Sequence, residues 1–401
     1  MKKKQSIAVL LTLAAVAFLS ACTQGGKREL SEGFYALDLP ADGKDKNILM
    51  SRVAQSVDYI ALETTEQCRI ENIWKVVPTR DYLVVMDKKS WEHVYLFTRE
   101  GKFVREIGSK GTREDQYATL GDVTADPENN RIFILDGVRK TILEFSPEDT
   151  LLSKTPTLFY VENFQFISGN TLALNPNYNK SKFFGGDTPN LLLMDLENGV
   201  TDRGVIRPAA LEPSHMIGLR SNFSKIPQGA TFVAPLCDTI FLATRTQIRP
   251  LYLADFGNDN ETKNRQHIRD ILENKPAVYS LDKLYEEMDK VFLTGFYAFQ
   301  DVAMISYRKQ THRYVAFYYP ESGKTIVGSS AQPRVAIPVG NDMDGLTVFN
   351  PLGGEANRMY CYTTLGLSDN PTALSPEAQA VKDAYKKGDN PVLAVVTLKT
   401  E

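Results

Sequence analysis

A repeated pattern of short strands between residues 82 and 149 constrains the fold more than any other feature of this sequence. Tyr82-Leu-Val-Val-Met-Asp87 and Arg131-Ile-Phe-Ile-Leu-Asp136 are each followed by a polar turn and a further apolar strand, and their aspartates lie 49 positions apart. A period of about 40 to 50 residues with several short strands per unit is typical of the blades of a β-propeller. The pattern therefore predicts a ring of similar β-sheets.

The length of the chain and its last strand predict six blades that close into a ring. Of the 401 residues, about 350 remain for units of roughly 50 to 60 residues, and a helical insertion at about 262–290 favours six units over seven. Val57–Leu62 and Val392–Leu398 both have strand patterns, and a capped helix over Ser375–Lys387 precedes the second of them. Pairing the early and late strands in one blade leaves no open sheet edge. We expect an all-β, six-bladed β-propeller over residues 51–401.

The first residues have the pattern of a bacterial lipoprotein signal peptide. A positive stretch, Lys2–Lys4, precedes an apolar stretch, Ile7–Phe18, which is too short to span a bilayer comfortably. The apolar stretch ends at Leu19-Ser20-Ala21-Cys22, which resembles the lipobox, where the chain is cut before the cysteine and the thiol is acylated. We expect residues 1–21 to be a signal peptide, Cys22 to be the lipid-attachment site, and residues 22–50 to form a tether and a first docking strand. The alternative is an ordinary signal peptide with an incidental cysteine.

Several short segments carry, in their order along the chain, a resemblance to a known family. They are Tyr59–Thr65, Tyr82–Asp87, Phe97–Gly108, Asp238–Ile240, Ala254–Gly257 and Asn390–Val396. Together they resemble the six-bladed β-propeller lipoproteins of Bacteroidota, whose blades are NHL-like or TolB-like. The resemblance covers nearly all of the chain after Cys22, and it implies a fold and a location in the cell envelope rather than a reaction.

Two short motifs resemble ligand-binding loops but lack residues that those loops need. Gly323-Lys324-Thr325 is similar to the end of a phosphate-binding loop, but Tyr318 occupies the position of the earlier glycine, so a hairpin turn is predicted. Asn341–Gly345 is similar to part of a calcium loop, but Gly340 and Pro351 fall where carboxylates are required. We expect neither a cofactor nor a bound metal.

The remaining cysteines and the histidines form no catalytic pattern along the sequence. Cys68, Cys237 and Cys361 are odd in number and are expected to be small buried side chains. The four histidines are scattered and could meet only through the fold; they are His93, His215, His267 and His312. Asp87 and Asp136 recur at the same blade position, which favours a structural role in capping turns over catalysis.

Aromatic and basic residues in loops are the candidates for binding a ligand, because sugar and peptide sites often combine an exposed ring with a few polar groups. The candidates are Trp91, Lys110, Arg113, Tyr117, Tyr178, Phe183 and Phe184.

We expect a monomeric, lipid-anchored binding or scaffold protein that recognises a glycan, a peptide or a protein through loops on one propeller face. The alternative is a hydrolase or lyase with acid and base groups at the central channel, since propellers host both classes. A formal net charge of −3, from 46 basic and 49 acidic residues, gives no reason to expect a nucleic-acid partner. In the lipoproteins that the chain resembles, surface export tends to follow acidic residues just after the lipid cysteine. The segment after Cys22 is not acidic, so the resemblance implies the periplasmic side of the outer membrane rather than surface exposure.

Overall fold

The computed structural model describes most of the chain from Lys27 to Thr400. The described ranges are 27–88, 92–177, 181–185, 189–204, 222–260, 281–332, 337–363 and 374–400, together with residues 266, 270 and 365. Among these residues no helix combines the length and the apolar character that crossing a membrane requires.

Short strands dominate the described residues, with three short helices between them. The strands are β1 (Lys27–Ser31), β2 (Phe34–Asp38), β3 (Ile48–Leu49), β4 (Ala54–Ala61), β5 (Ile73–Pro78), β6 (Tyr82–Lys88), β7 (Glu92–Thr98), β8 (Phe103–Glu106), β9 (Leu120–Ala125), β10 (Ile132–Asp136), β11 (Thr141–Phe145), β12 (Leu151–Pro156), β13 (Asn163–Ser168), β14 (Thr171–Asn175), β15 (Leu191–Asp195), β16 (Gly199–Gly204), β17 (Phe223–Ile226), β18 (Gly229–Val233), β19 (Thr239–Ala243), β20 (Ile248–Asp255), β21 (Phe292–Ala298), β22 (Ala303–Lys309), β23 (His312–Tyr318), β24 (Thr325–Ser330), β25 (Val339–Gly340), β26 (Val348–Glu355), β27 (Arg358–Thr363) and β28 (Val392–Leu398). The helices are α1 (Met50–Val53), α2 (Leu281–Glu287) and α3 (Pro376–Ala384), and single 3-10 turns occur at Lys182–Phe184 and Gly257–Asp259.

Six blades of four antiparallel strands each surround a common axis, which confirms the predicted six-bladed β-propeller. From the axis outwards, blade two is β5–β8, blade three is β9–β12, blade four is β13–β16, blade five is β17–β20 and blade six is β21–β24. Blade one combines the two ends of the chain, in the order β26, β27, β28, β4. The inner strand of each blade is therefore β26, β5, β9, β13, β17 or β21.

The ring closes where the sequence predicts. In blade one, β28 pairs with β4 in antiparallel register from Val392 opposite Ala61 to Leu398 opposite Ala54. Backbone groups of the last strand are thereby paired with the first strand of the ring, so β28 has a partner on both sides and β4 forms the outer edge of the blade. The pairing confirms that the early and late strands share one blade.

The segment before the ring adds strands to the outside of two blades. β2 runs parallel to β20 at the outer edge of blade five, and β1 pairs with β2. β3 pairs in parallel with β25, and Lys46 forms a bridge to Ser329 of blade six. Residues 27–49, which the sequence analysis treats as part of a tether with one docking strand, thus contribute three short strands against the propeller.

The repeated aspartates hold the connection that leads into the inner strand of their own blade. The Asp87 carboxylate accepts hydrogen bonds from the backbone N–H groups of Glu71 (2.9 Å) and Asn72 (2.8 Å), just before β5. The Asp136 carboxylate accepts from the N–H groups of Ala118 (2.7 Å) and Arg139 (3.1 Å). Both carboxylates are fully buried, and these bonds satisfy backbone donors that no strand partner reaches. The predicted turn-capping role is confirmed.

The hydrophobic core lies between neighbouring blades rather than in one central mass, because the axis of the ring is open. Apolar side chains from each blade pack against the next, and a separate cluster fills each of the six contacts around the ring. Cys68 and Cys361 are buried in two of these clusters, whereas Cys237 is partly exposed, and none of the three forms a disulfide. The sequence predicts this apolar role for the two buried cysteines.

The C-terminal helix and the Gly323 turn follow their sequence signals. The hydroxyl of Ser375 accepts a hydrogen bond from the N–H of Ala378 and caps α3, which begins with Pro376. Gly323 lies at φ +71° in the hairpin between β23 and β24, so the predicted hairpin turn is confirmed. In the predicted helical insertion, α2 is present, whereas the residues on which the first helix is predicted, His267, Ile268, Ile271 and Leu272, lie outside the described residues.

The inner strands of blades one and two approach so closely that one position admits only glycine. A Cβ atom built on Gly353 of β26 would lie 1.8 Å from the backbone oxygen of Val76 in β5. Because that obstacle is backbone rather than a flexible side chain, it cannot move aside without distorting β5.

Candidate functional site

The strand order gives the propeller two distinct faces. Neighbouring strands within a blade are antiparallel, so every inner strand begins at one face and ends at the other. We call the face where the inner strands begin the entry face, and the opposite one the exit face. Connections from the fourth strand to the next blade, and from the second strand to the third, lie at the entry face.

An axial cavity of about 410 Å³ is lined by residues of the inner strands and their connections from all six blades. Its entry end is polar and aromatic, with Trp74, Lys88, Asp122, Glu162 and Asn222 among its lining residues. Its exit end is lined mainly by residues at the ends of the inner strands. The volume lies in the range of small-molecule sites, roughly 300 to 1,000 Å³.

A buried ion pair joins blades two and three at the wall of this cavity. The Lys75 ammonium lies 3.0 and 3.1 Å from the two carboxylate oxygens of Asp122. Asp122 also accepts a hydrogen bond from the backbone N–H of Phe164 in blade four (3.0 Å). Only 5% of the Asp122 side chain and 20% of the Lys75 side chain are exposed. These contacts occupy both oxygens of Asp122 and tie three blades together.

Side-chain amides form a second polar group at the entry end. Asn163 donates to the amide oxygen of Asn222 (2.8 Å), and Asn222 donates to the backbone oxygen of Val233 (2.7 Å). Asn175 donates to the amide oxygen of Asn163 (3.3 Å). Gln165, deeper in the cavity wall, donates to the hydroxyl of Thr124 (3.0 Å). The network fixes these amides in place, as a preorganised polar site requires.

Trp74 and Lys88 form the aromatic and basic part of the entry end. The Lys88 ammonium lies 5.9 Å from the centroid of the Trp74 ring, and it donates to the backbone oxygen of Gly121 (3.1 Å). Both side chains are half-buried and line the cavity. A ring beside a cation offers an apolar surface and a charged group to the same ligand.

Lys225 projects from β17 into the cavity nearer the exit face. Its ammonium donates to the backbone oxygens of Ile226 (2.9 Å) and Gly229 (3.4 Å). Burial lowers the pKa of Lys225, and the more distant carboxylates of Glu128 and Asp126 act in the opposite direction. The ammonium is thus partly removed from water and held by neutral acceptors.

Two glutamates of the cavity wall are engaged by neighbouring groups. Glu162 accepts a hydrogen bond from the hydroxyl of Tyr160, and burial together with this carboxylate raises the pKa of Tyr160. Glu355, at the exit end, pairs with the guanidinium of Arg99 and accepts from the hydroxyl of Tyr360 (2.7 Å). In the part of the chain that the structure describes, no group of three or more histidine, cysteine, aspartate or glutamate side chains is arranged to hold a metal ion.

The predicted loop residues Lys110 and Arg113 lie in the connection from β8 to β9, at the entry face. Lys110 pairs with the carboxylate of Glu92 (3.0 Å), and Arg113 pairs with Asp115 (3.0 Å). Their side chains are 56% and 70% exposed, so both remain accessible from solvent. They do not line the axial cavity.

Tyr117, predicted as an exposed ring of the same loop, is instead a core residue. It is fully buried in the cluster between blades two and three, and its hydroxyl donates to the backbone oxygen of Glu92 (2.9 Å). The expectation of a ring available to a ligand is wrong for Tyr117, because the loop folds back over the blade and uses the tyrosine to cover it. Burial raises the pKa of its hydroxyl.

Phe183 and Phe184 lie in the β14–β15 connection, also at the entry face, and differ in exposure. The Phe184 ring packs against Phe159, with centroids 4.9 Å apart, and joins the core between blades three and four. Phe183 packs edge-on against Phe184 but remains 43% exposed. Leu158 beside them is 64% exposed. Trp91 and Tyr178, the other two predicted rings, and the lipid-attachment residue Cys22 lie outside the described residues.

The cavity residues were missed by the sequence analysis, although weak signals exist. Lys75 interrupts the apolar run Ile73–Pro78, and Asp122 stands in Leu120–Ala125, which is otherwise apolar or small. A charge within an otherwise apolar strand is costly to bury alone, so it marks a place that a counter-charge or an open cavity reaches. Only the order of strands within each blade identifies which strands are innermost.

The fold and the axial cavity define the molecule as a six-bladed β-propeller with an open centre. Residues 34–397 match the family described as "Domain of unknown function (DUF4934)", and the chain belongs to this family. No curated protein matches the chain.

Two solved structures from Bacteroides are similar to the chain. One, from Bacteroides fragilis, is called a "Putative exported protein"; it is 15% identical, with a TM-score of 0.69 over 91% of this chain and 99% of that chain. The other is a member of the DUF4221 family from Bacteroides vulgatus, 10% identical, with a TM-score of 0.48 over 89% of this chain and 99% of that chain. At such identity the first similarity shows the fold alone.

Proposed function

We propose that the protein is a lipid-anchored binding protein of the cell envelope, which takes a glycan or a peptide at the entry face of its propeller. The observation that carries the proposal is the axial cavity, where Trp74 and the fixed amides of Asn163 and Asn222 meet at one mouth. A ring together with a few convergent polar groups is the usual composition of a site for such ligands.

The exposed residues around that mouth support a ligand larger than the cavity itself. Val138, Leu158 and Phe183 are 69%, 64% and 43% exposed in connections at the entry face. Lys110 and Arg113 add exposed cations to the same face. The surface carries exposed apolar side chains beside charged pairs, which suits a chain that lies across the face with one unit in the cavity.

The charged groups of the cavity favour binding over acid–base catalysis. Asp122 is the most buried carboxylate of the lining, and Lys75 already neutralises it. Glu162 is hydrogen-bonded to Tyr160, and Glu355 is paired with Arg99. A general acid or base needs a proton that it can exchange with a substrate, whereas these pairings hold Asp122, Glu162 and Glu355 in structural contacts.

The envelope location rests on the signal pattern at residues 1–21 and on the lipobox at Cys22. The description of the Bacteroides fragilis protein as exported agrees with it. Four residues separate Cys22 from β1, so the lipid would hold the outer edge of blade five within about 17 Å of the membrane. We propose the periplasmic side of the outer membrane.

A glycan-array and pull-down screen with the chain lacking residues 1–22 tests the binding function. Every described strand lies after residue 26, so this truncation leaves all six blades intact. We expect a glycan or peptide ligand whose affinity falls at least tenfold in Trp74→Ala and is unchanged in Tyr385→Ala, an exposed aromatic outside the cavity. A ligand that binds Trp74→Ala as tightly as the wild type would place the site elsewhere.

Lipid attachment is tested separately by labelling cells with a fatty-acid analogue. The full-length protein should be labelled and should fractionate with the outer membrane, whereas Cys22→Ser should be neither labelled nor shortened. Protease treatment of whole cells then distinguishes the two sides of the membrane, since a periplasmic propeller is protected until the outer membrane is opened.

A further inference from the structure

The axial cavity contains two lysines whose charges are not neutralised by an ion pair with any described residue. Lys75 is paired with Asp122, but no described carboxylate oxygen lies within 4 Å of the ammonium groups of Lys88 or Lys225. Both ammonium groups donate only to backbone oxygens: that of Gly121 for Lys88, and those of Ile226 and Gly229 for Lys225.

Lys225 is the more informative of the two, because its ammonium is held by two backbone oxygens and is partly removed from water. A cation that is partly desolvated and bonded only to neutral acceptors is destabilising unless an anion joins it. Burial lowers the pKa of Lys225, which is the physical sign of that cost. Perturbed charged groups in a cavity mark functional sites more often than other surface positions.

The carboxylates nearest to Lys225 do not replace such an anion. Asp126 is held by the guanidinium of Arg131, at 3.1 Å. Glu128 is exposed at the exit end and lies beyond ion-pair distance of Lys225. The other carboxylates of the lining, Glu162 and Glu355, have the partners described above. The interior of the cavity thus offers unneutralised positive charge at Lys225 and at Lys88.

We infer that the axial cavity binds a sugar-sized molecule that carries an oxyanion. The oxyanion contacts Lys225, and Lys88 attracts the molecule at the entry mouth. This inference rests on the proposed function, and it specifies the chemical class of the unit that enters the cavity. The Trp74 ring and the Asn163 and Asn222 amides face the remainder of such a molecule. Lysine acts as a point charge without a fixed fork, so carboxylate and phosphate share the recognition chemistry.

Calorimetric titration of the chain lacking residues 1–22 with glucuronate, glucose 6-phosphate and glucose tests the inference. We expect at least one anionic sugar to bind ten or more times as tightly as glucose, and its affinity to fall as sodium chloride is raised. The preferred anion identifies the source of the oxyanion as a carboxylate or a phosphate.

Single substitutions assign the anion to its partner. Lys225→Met should weaken binding of the anionic sugar at least tenfold and leave glucose unaffected, and Lys88→Met should weaken it about threefold. Lys102→Met is the matched control, because this lysine is 72% exposed outside the cavity and should leave binding unchanged. Circular dichroism of each variant confirms that the fold is retained.

Two results would overturn the inference, and they differ from the failure of the binding function. Equal affinity for glucose and both anionic sugars, or an unchanged affinity in Lys225→Met, excludes an oxyanion site at Lys225. If none of the three sugars binds, the inference also fails. The proposed binding function would still hold if the screen finds another ligand whose binding depends on Trp74. The proposed binding function fails only if the screen finds no ligand whose affinity depends on Trp74.

Discussion

Lys75 and Lys225 lie in the wall of the same cavity but have opposite surroundings. Lys75 meets both oxygens of Asp122, whose own position is fixed by the N–H of Phe164. Lys225 meets only the backbone oxygens of Ile226 and Gly229. A buried charge that is paired with a counter-charge has a structural role, whereas a buried charge without a counter-charge lowers the stability of the fold. The difference separates a residue that joins blades from one that is available to a ligand.

Removing the counter-charge of Lys75 should have the largest effect. Asp122→Leu leaves a mostly buried ammonium and the Phe164 N–H without their partner, so the free energy of unfolding should fall by about 3 to 5 kcal/mol. Urea unfolding measures the change. Lys75→Met combined with Asp122→Leu should recover most of the loss, and Glu114→Ala, at an exposed pair with Lys154, should show no measurable change. Equal losses in the single and double variants would mean that the pair contributes through packing rather than charge.

Replacing Lys225 should have a smaller effect of opposite sign. Lys225→Met removes a partly desolvated cation and retains most of the side-chain volume, so the free energy of unfolding should rise by about 1 kcal/mol. The same urea experiment, without ligand, measures it. A fall of similar size would show that the two backbone hydrogen bonds outweigh desolvation, and Lys225 would then resemble Lys75 as a structural residue.

The stability difference between the wild type and Lys225→Met should depend on pH in a defined window. Because the pKa of Lys225 is lowered on folding, the unfolded chain binds more protons between that lowered pKa and the ordinary lysine value of about 10.4. Wild-type stability therefore rises relative to Lys225→Met as pH rises through this window. Parallel urea unfolding at about pH 7 and about pH 10.5 should show the difference shrinking. A constant difference would contradict the desolvation account.

The pair of His93 and Glu106, outside the cavity, should give the smallest effect. The imidazole lies 2.7 Å from the Glu106 carboxylate, which raises the pKa of His93 against the opposing effect of burial. The pair's contribution to the free energy of unfolding is fully present below the pKa that His93 has in the unfolded chain. It is lost as the pH rises through the raised pKa of His93 in the folded chain. Glu106→Gln should therefore lower the pKa of His93 in an NMR titration and cost about 0.2 to 1 kcal/mol at acidic pH. A loss of unfolding free energy as large as that of Asp122→Leu would show that ion pairs in the cavity wall and outside it contribute equally to stability.

Much of the fold could be predicted from the sequence because its signals are local. The repeat around Asp87 and Asp136 marks strand ends, and each carboxylate caps donors within 20 residues of itself. The closing strand, Val392–Leu398, is a continuous apolar run that needs a partner. The buried position of Tyr117 cannot be predicted in this way, because a polar, glycine-rich loop gives no local sign that its last residue covers a core cluster.

Strand period, turn residues and capping act over short distances, so the β-propeller, its six units, the closing strand and the structural role of the repeated aspartates can be predicted from local patterns. The charges that line the axial cavity, and the pairing of each with a counter-charge, follow from the folded ring and not from local patterns. Lys75 and Asp122 are 47 residues apart, and Lys225 becomes an isolated charge because the ring brings β17 to the axis without a carboxylate of the described chain beside it. Charge pairing depends on distance in space, which only the closed ring of blades sets.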